Sequence, residues 1–186
     1  MKRVIIATFT GALVAFFWGF ITWMLLDWHT PETFKDEAAV TEVITANAET
    51  HGIYMLPRPG DMSQDREAAF TKGPFVYAII RPGSLDRPWN MVESMLISFG
   101  INVLCCLVIS VSVLRIRATR YISRASVGAT LGLFAALSVV LPHWQWFETP
   151  GSHFLAEFLD PIIAYTLAGL VIAAIIKTPK ARRIFS

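Results

Sequence analysis

The residues able to do chemistry in this chain gather around the ends of its apolar stretches. His153, Glu157 and Asp160 are spaced i, i+4, i+7, which puts them on one face of a helix. His29 closes the first apolar stretch, His143 closes the third, and Glu93 enters the second at a comparable depth. Imidazoles and carboxylates converging at one end of a bundle can bind a divalent transition metal, ligate a haem iron or carry protons. His29, His143, His153, Glu157 and Asp160 are therefore the candidate metal ligands. The competing reading makes them interfacial polar groups and helix caps, because charge near a membrane surface is reached by water. On that reading no cofactor is expected, and metal or haem is the alternative.

No catalytic residue is assigned. The chain has no Walker A, GxGxxG, HExxH or GxSxG motif, and Gly83-Ser84 and Gly151-Ser152 lack the flanking residues of a nucleophile elbow. Cys105 and Cys106 are adjacent in the middle of an apolar stretch, and neighbouring cysteines rarely bridge. They read as small packing residues.

The elements that must position these groups follow from composition. Of 186 residues, 54% are hydrophobic and 16% charged, against about 25% charged in a soluble domain. Mean hydropathy is +0.52. This balance excludes a disordered chain, a nucleic-acid binder and an ordinary cytosolic enzyme. About 20 apolar residues span a bilayer as a helix, and four stretches qualify: Val4 to Leu26, Met91 to Leu114, Tyr121 to Leu141 and Phe154 to Ile176. The first is longer than a signal-peptide core, and no small-residue cleavage site follows it, so it reads as a retained helix.

Orientation follows from Lys and Arg. Both termini and the middle connection hold 10 of the 16 basic residues, from Lys2 and Arg3 through Arg124 to Arg183, and none of the 14 acidic ones. The opposite side holds the other 6 basic residues and all 14 acids. Both termini are thus expected in the cytoplasm of a bacterial cell, with the chain in the inner (plasma) membrane. The expected organisation is 1–26 (tail and first span), 27–90 (periplasmic loop), 91–114 (second span), 115–120 (cytoplasmic loop), 121–141 (third span), 142–153 (periplasmic turn), 154–176 (fourth span) and 177–186 (basic tail). Trp23, Trp28, Trp89, Trp144 and Trp146 fall at the periplasmic interface as an aromatic belt, and only Trp18 lies deeper.

Within the loop, Thr30-Pro31-Glu32 reads as a helix start, with the helix running to about Ala48. Gly52 to Leu56 and Pro74 to Ile80 read as short strands, Pro59-Gly60 as a turn, and Asp65 to Phe70 as one helical turn. This segment is too small for an independent core and is expected to pack on the ends of the spans.

Small and polar residues recur at helical spacing inside the spans. Gly11, Ala15 and Gly19 form such a stripe in the first, Ser94, Ser98, Asn102, Cys106 and Ser110 in the second, and Gly128, Gly132 and Ala136 in the third. The fourth offers Ala164 with Ala168 and Gly169 with Ala173. Lipid gives Asn102 no partner, so these stripes are expected to face other helices, within the chain or in a partner. The fold class expected is an all-α integral membrane protein of four transmembrane helices, with a small extracytoplasmic helix and a short β-hairpin-like segment. The function expected is a non-catalytic accessory, scaffold or assembly subunit of a membrane complex. Its partners would be the lipid bilayer and either another membrane protein or further copies of itself, and no nucleic acid. A small transporter or channel component, or a protein binding metal or haem at its periplasmic face, is the alternative.

Overall fold

The computed structural model describes residues 1–58, 64–84, 89–116 and 118–177. The chain divides into two compact units, Met1–Thr30 with Asn90–Ser186, and Pro31–Trp89.

The first unit holds four helices long and apolar enough to cross a membrane. Helix α1 is Lys2–Met24, and a 3₁₀ turn, Asp27–His29, follows it. Before the later helices come α2 (Glu37–Asn47), β1 (Gly52–Leu56), α3 (Gln64–Lys72) and β2 (Val76–Ile80) of the second unit. Helix α4 is Met91–Arg115; it begins where the Asn90 side chain accepts hydrogen bonds from the Val92 and Glu93 N–H groups at 3.0 and 3.3 Å. Helix α5, Tyr121–Ala135, passes through a π-helical turn, Ala136–Val140, into α6, Leu141–Phe147, as one rod of 27 residues. Helix α7 is Gly151–Ile175.

The third span therefore outruns its expected end at Leu141. Pro142 has no N–H to donate, and a proline inside a helix normally kinks or breaks it. The π turn just before it shifts the backbone ladder by one residue, and the helix continues past the proline. It ends at Glu148, in the left-handed conformation at φ 52°, so the turn to α7 shrinks to Glu148–Pro150.

Packing in this unit is inverted relative to a water-soluble bundle. On α1, Ala7, Gly11, Ala12 and Ala15 are buried, while Ile5, Ile6, Phe9, Leu13 and Phe17 face outward, each about half exposed. In water the large apolar side chains would go inside. In lipid they have no reason to, and small residues let backbones approach closely. Helix α1 packs on α4 and α7, and α5 packs on α7. The α5–α7 contact is the tightest. A Cβ at Gly128 would strike the Tyr165 carbonyl oxygen and lie 2.9 Å from Gly169 Cα; one at Gly132 would lie 2.5 Å from the Pro161 oxygen; one at Gly169 would lie 2.7 Å from the Ala125 oxygen. Only glycine permits these approaches.

The end of the bundle carrying Tyr121 is locked by Arg124, which is buried. Its guanidinium donates to the Ala118, Thr119 and Ala173 carbonyl oxygens at 2.8–3.4 Å. Ala173 lies in the last turn of α7, where carbonyls lack intrahelical donors and a cation suits the helix dipole. Tyr121 donates to the Leu170 oxygen at 3.0 Å.

In the second unit, α2 is Glu37–Asn47 and α3 is Gln64–Lys72. Strand β1, Gly52–Leu56, pairs antiparallel with β2, Val76–Ile80, from Gly52↔Ile80 to Leu56↔Val76. The helix expected from Thr30 starts instead at Asp36, whose side chain accepts from the Ala39 N–H at 2.9 Å. Both residues are competent caps and both are extended, but residues 31–35 that follow Thr30 are not helical. Helix α3 is longer than the single turn expected, and it makes the strand connection a helical excursion, not a tight hairpin. The expected turn at Pro59-Gly60 and the basic tail beyond Lys177 lie outside the described residues.

Candidate functional site

The site is built at the end of the four-helix unit that carries His29. Trp18 and Thr22 stand one turn apart on α1 and face α7. There the Trp18 Nε1–H donates to Asp160 Oδ1 at 2.8 Å. The Thr22 hydroxyl donates to Asp160 Oδ2 at 3.3 Å, with the Gly19 carbonyl oxygen at 3.2 Å as its other acceptor. The 3₁₀ turn after α1 folds His29 back over the same carboxylate, Nε2 to Oδ2, at 3.4 Å. That contact is not aligned as a hydrogen bond, and neither ring nitrogen of His29 has a hydrogen-bond partner among the described residues.

Aromatic rings hold the imidazole in place. Trp23 stacks on His29 with centroids 4.2 Å apart and planes 7° from parallel, and His153 meets it edge-on at 5.8 Å. Residue His29 is 7% exposed. One turn along α7, His153 Nε2 lies 3.3 Å from Glu157 Oε1, and both side chains remain over a third exposed. These two form the rim, and Asp160 lies deeper.

Between these groups is a cavity of about 490 Å³. Trp18, Gly19 and Trp23 line it from α1, Asn102 from α4, His143 from α6, and Glu157, Asp160 and Tyr165 from α7. Such a volume falls in the range of small-molecule sites. Farther along α1, beside Gly11, the bundle is filled. The Ile172 side chain occupies the space beside Gly11, where a Cβ would lie 2.8 Å from it. Cys106, Val113 and Ile172 are fully buried, and the Thr8 hydroxyl donates to the Ser110 hydroxyl at 3.1 Å between α1 and α4.

The five candidate ligands are thus placed unequally. His29 and Asp160 meet, His153 and Glu157 meet, and His143 stands on the α6 wall with Nδ1 3.5 Å from Thr149 Oγ1. Among the described residues no three His, Cys, Asp or Glu side chains form a metal-holding group. Glu93 does not line the cavity, and His51 belongs to the other unit.

The polar stripe of α4 divides. Cys106 and Ser110 are buried, Ser94 and Asn102 are half-buried, and Ser98 is exposed. Asn102 finds its partner on its own helix, donating from Nδ2 to the Ser98 carbonyl oxygen at 3.0 Å. In the first span Gly11 and Ala15 are buried while Gly19 borders open space; in the third, Gly128, Gly132 and Ala136 are all buried.

Sequence reasoning missed Trp18 and Thr22. Their i, i+4 spacing continues the Gly11–Ala15 face, and a carboxylate inside a neighbouring span needs donors, so the signal was present. It also read Arg124 only as a topological charge. No family model, curated protein or solved structure matches the chain.

Proposed function

We propose that this chain is a bacterial inner-membrane protein with both termini cytoplasmic, acting as a non-catalytic accessory subunit that binds a small ligand at its periplasmic end. The cavity beside the His29–Asp160 contact carries this reading: polar groups are held in place by Trp18, Thr22 and Trp23 around a space that protein does not fill. The charge distribution, with 10 basic and no acidic residues in the termini and middle connection, supports the orientation. The close packing at the level of Gly11 and Ile172 interrupts any path along the bundle and favours a binding site over a conducting path. The pairing of the candidate ligands favours an organic ligand over a coordinated metal.

Native mass spectrometry of the protein released from membranes tests this. The wild-type chain is expected to carry a small non-covalent adduct. Gly19→Leu, at a position where a Cβ meets nothing within 4 Å, should fill the cavity and remove the adduct while keeping thermal stability. No adduct, or an adduct unaffected by Gly19→Leu, would refute the proposal.

A further inference from the structure

We infer that the cavity takes a primary ammonium group carried on a short apolar stem, an inference that rests on the ligand-binding reading above. Two carboxylates, Asp160 and Glu157, line the cavity together with His29 and His143, and no Lys or Arg is among the lining residues. The donors that Asp160 does receive, from Trp18 and Thr22, are neutral. A carboxylate drawn into a low-dielectric site without a cation is costly, and an anionic ligand would add a third negative charge there. A cation supplies what the lining lacks.

The kind of cation follows from the carboxylates. Each carboxylate oxygen has more than one acceptor site, and Asp160 uses only part of that capacity on Trp18 and Thr22. A primary ammonium offers three N–H donors for the remaining acceptor sites of Asp160 and Glu157. A quaternary ammonium offers none and would leave these acceptors unfilled. Trp18, Trp23 and Tyr165 line the cavity with aromatic surface, which suits a cation, and Val139, Val140 and Ala164 give the stem an apolar wall. The same chemistry comes from a soluble amine or from the headgroup of phosphatidylethanolamine.

The full-length protein in phosphatidylcholine nanodiscs is titrated at neutral pH with n-butylammonium, n-butyltrimethylammonium, butanol and butyrate. Calorimetry and tryptophan emission follow binding, since Trp18 and Trp23 line the cavity. Butylammonium is expected to bind saturably, and the trimethyl analogue, butanol and butyrate about tenfold or more weakly. Asp160→Asn should weaken butylammonium by about tenfold. Glu157→Gln, at the exposed rim and without the three contacts of Asp160, should weaken it by about threefold with the fold intact. In discs containing phosphatidylethanolamine, competition against butylammonium identifies the headgroup as the occupant, and undiminished binding identifies a soluble amine; both support the inference. Equal binding of the trimethyl analogue, or of butyrate or butanol, overturns the ammonium assignment and leaves the cavity as a binding site. Failure of all four probes while the wild-type protein retains its native adduct has the same meaning. Failure of the probes with no native adduct overturns both proposals. Unchanged affinity in a folded Glu157→Gln and a folded Asp160→Asn also overturns it.

Discussion

Three glycines that look alike in the sequence should respond very differently to a single methyl group. At Gly128 the methyl meets backbone, the Tyr165 oxygen and Gly169 Cα at 2.9 Å, and backbone cannot rotate away. To restore ordinary contact, α5 and α7 must separate by roughly half an ångström or more, and a gap of about 0.5–1 Å forfeits a quarter to a half of each dispersion well. Overpacking costs about 1–3 kcal/mol, and a backbone neighbour puts Gly128→Ala at the upper end. Alanine recovers at most about 1 kcal/mol of helix propensity, leaving a net loss of about 2 kcal/mol. At Gly11 the obstacle is the Ile172 side chain, with Cδ1 at 2.8 Å and Cγ1 at 2.9 Å; a rotamer shift relieves part of the clash, and a loss of about 1 kcal/mol is expected. At Gly19 nothing lies within 4 Å, so alanine should be neutral or stabilising by about 0.5–1 kcal/mol. Reversible unfolding in mixed micelles, titrated with a denaturing detergent, measures all three. Equal losses at Gly19 and Gly128, or a Gly128→Ala protein as stable as wild type, would refute the packing argument.

Arg124→Ala leaves the Ala118, Thr119 and Ala173 carbonyls without their donor and should cost about 2 kcal/mol in the same titration; Arg124→Lys should recover less than half, because an ammonium cannot reproduce the planar fork. Trp18→Phe keeps an aromatic ring but loses the pyrrole half of the indole with its Nε1–H donor to Asp160, so a loss of at least about 1.5 kcal/mol is expected. Asn102→Leu removes only a bond to its own helix and should change stability by less than about 0.5 kcal/mol; a large loss would show that Asn102 serves another helix. A reporter active only in the periplasm should be silent when fused after Ser186 and active when inserted near Gly60, and the reverse pattern would sink the proposed orientation.

The four long apolar helices were legible because an apolar run of over 20 residues has few other uses. The close faces of α5 and α7 were legible too, in Gly128, Gly132 and Gly169, since spacing by three or four residues fixes a shared face whatever the partner is. Other features depend on competition that no local pattern decides. Pro142 reads as a terminator until the π turn at Ala136–Val140 is seen to precede it. Thr30 and Asp36 are both competent caps with extended backbone, and the helix begins only after Asp36. Asn102 could satisfy itself within its helix or across to another, and periodicity cannot separate the two. For the site, the i, i+4, i+7 run put His153, Glu157 and Asp160 on one face. What it could not give was the split into a rim and a buried centre. That split comes from α1, through Trp18 and Thr22, and from a 3₁₀ turn that returns His29 to Asp160.

Side-chain size explains why a cavity persists beside Gly19 and not beside Gly11. Where Gly11, Gly128 and Gly169 occur, they face bulk or backbone, Ile172 against Gly11 and the helix backbones against each other, and the space closes. Gly19 continues the same face of α1 but meets nothing, because the α7 residues at that level are Asp160 and Pro161, with Glu157 one turn toward the rim. Pro161 gives α7 no donor for the Glu157 carbonyl, and Asp160 is drawn to Trp18 and Thr22 instead of filling the gap. A sequence selected only for packing would put leucine or isoleucine at Asp160 and collapse the cavity, at a gain in apolar contact. Keeping a carboxylate there, with two donors aimed at it and an imidazole beside it, makes sense if the space between them is used.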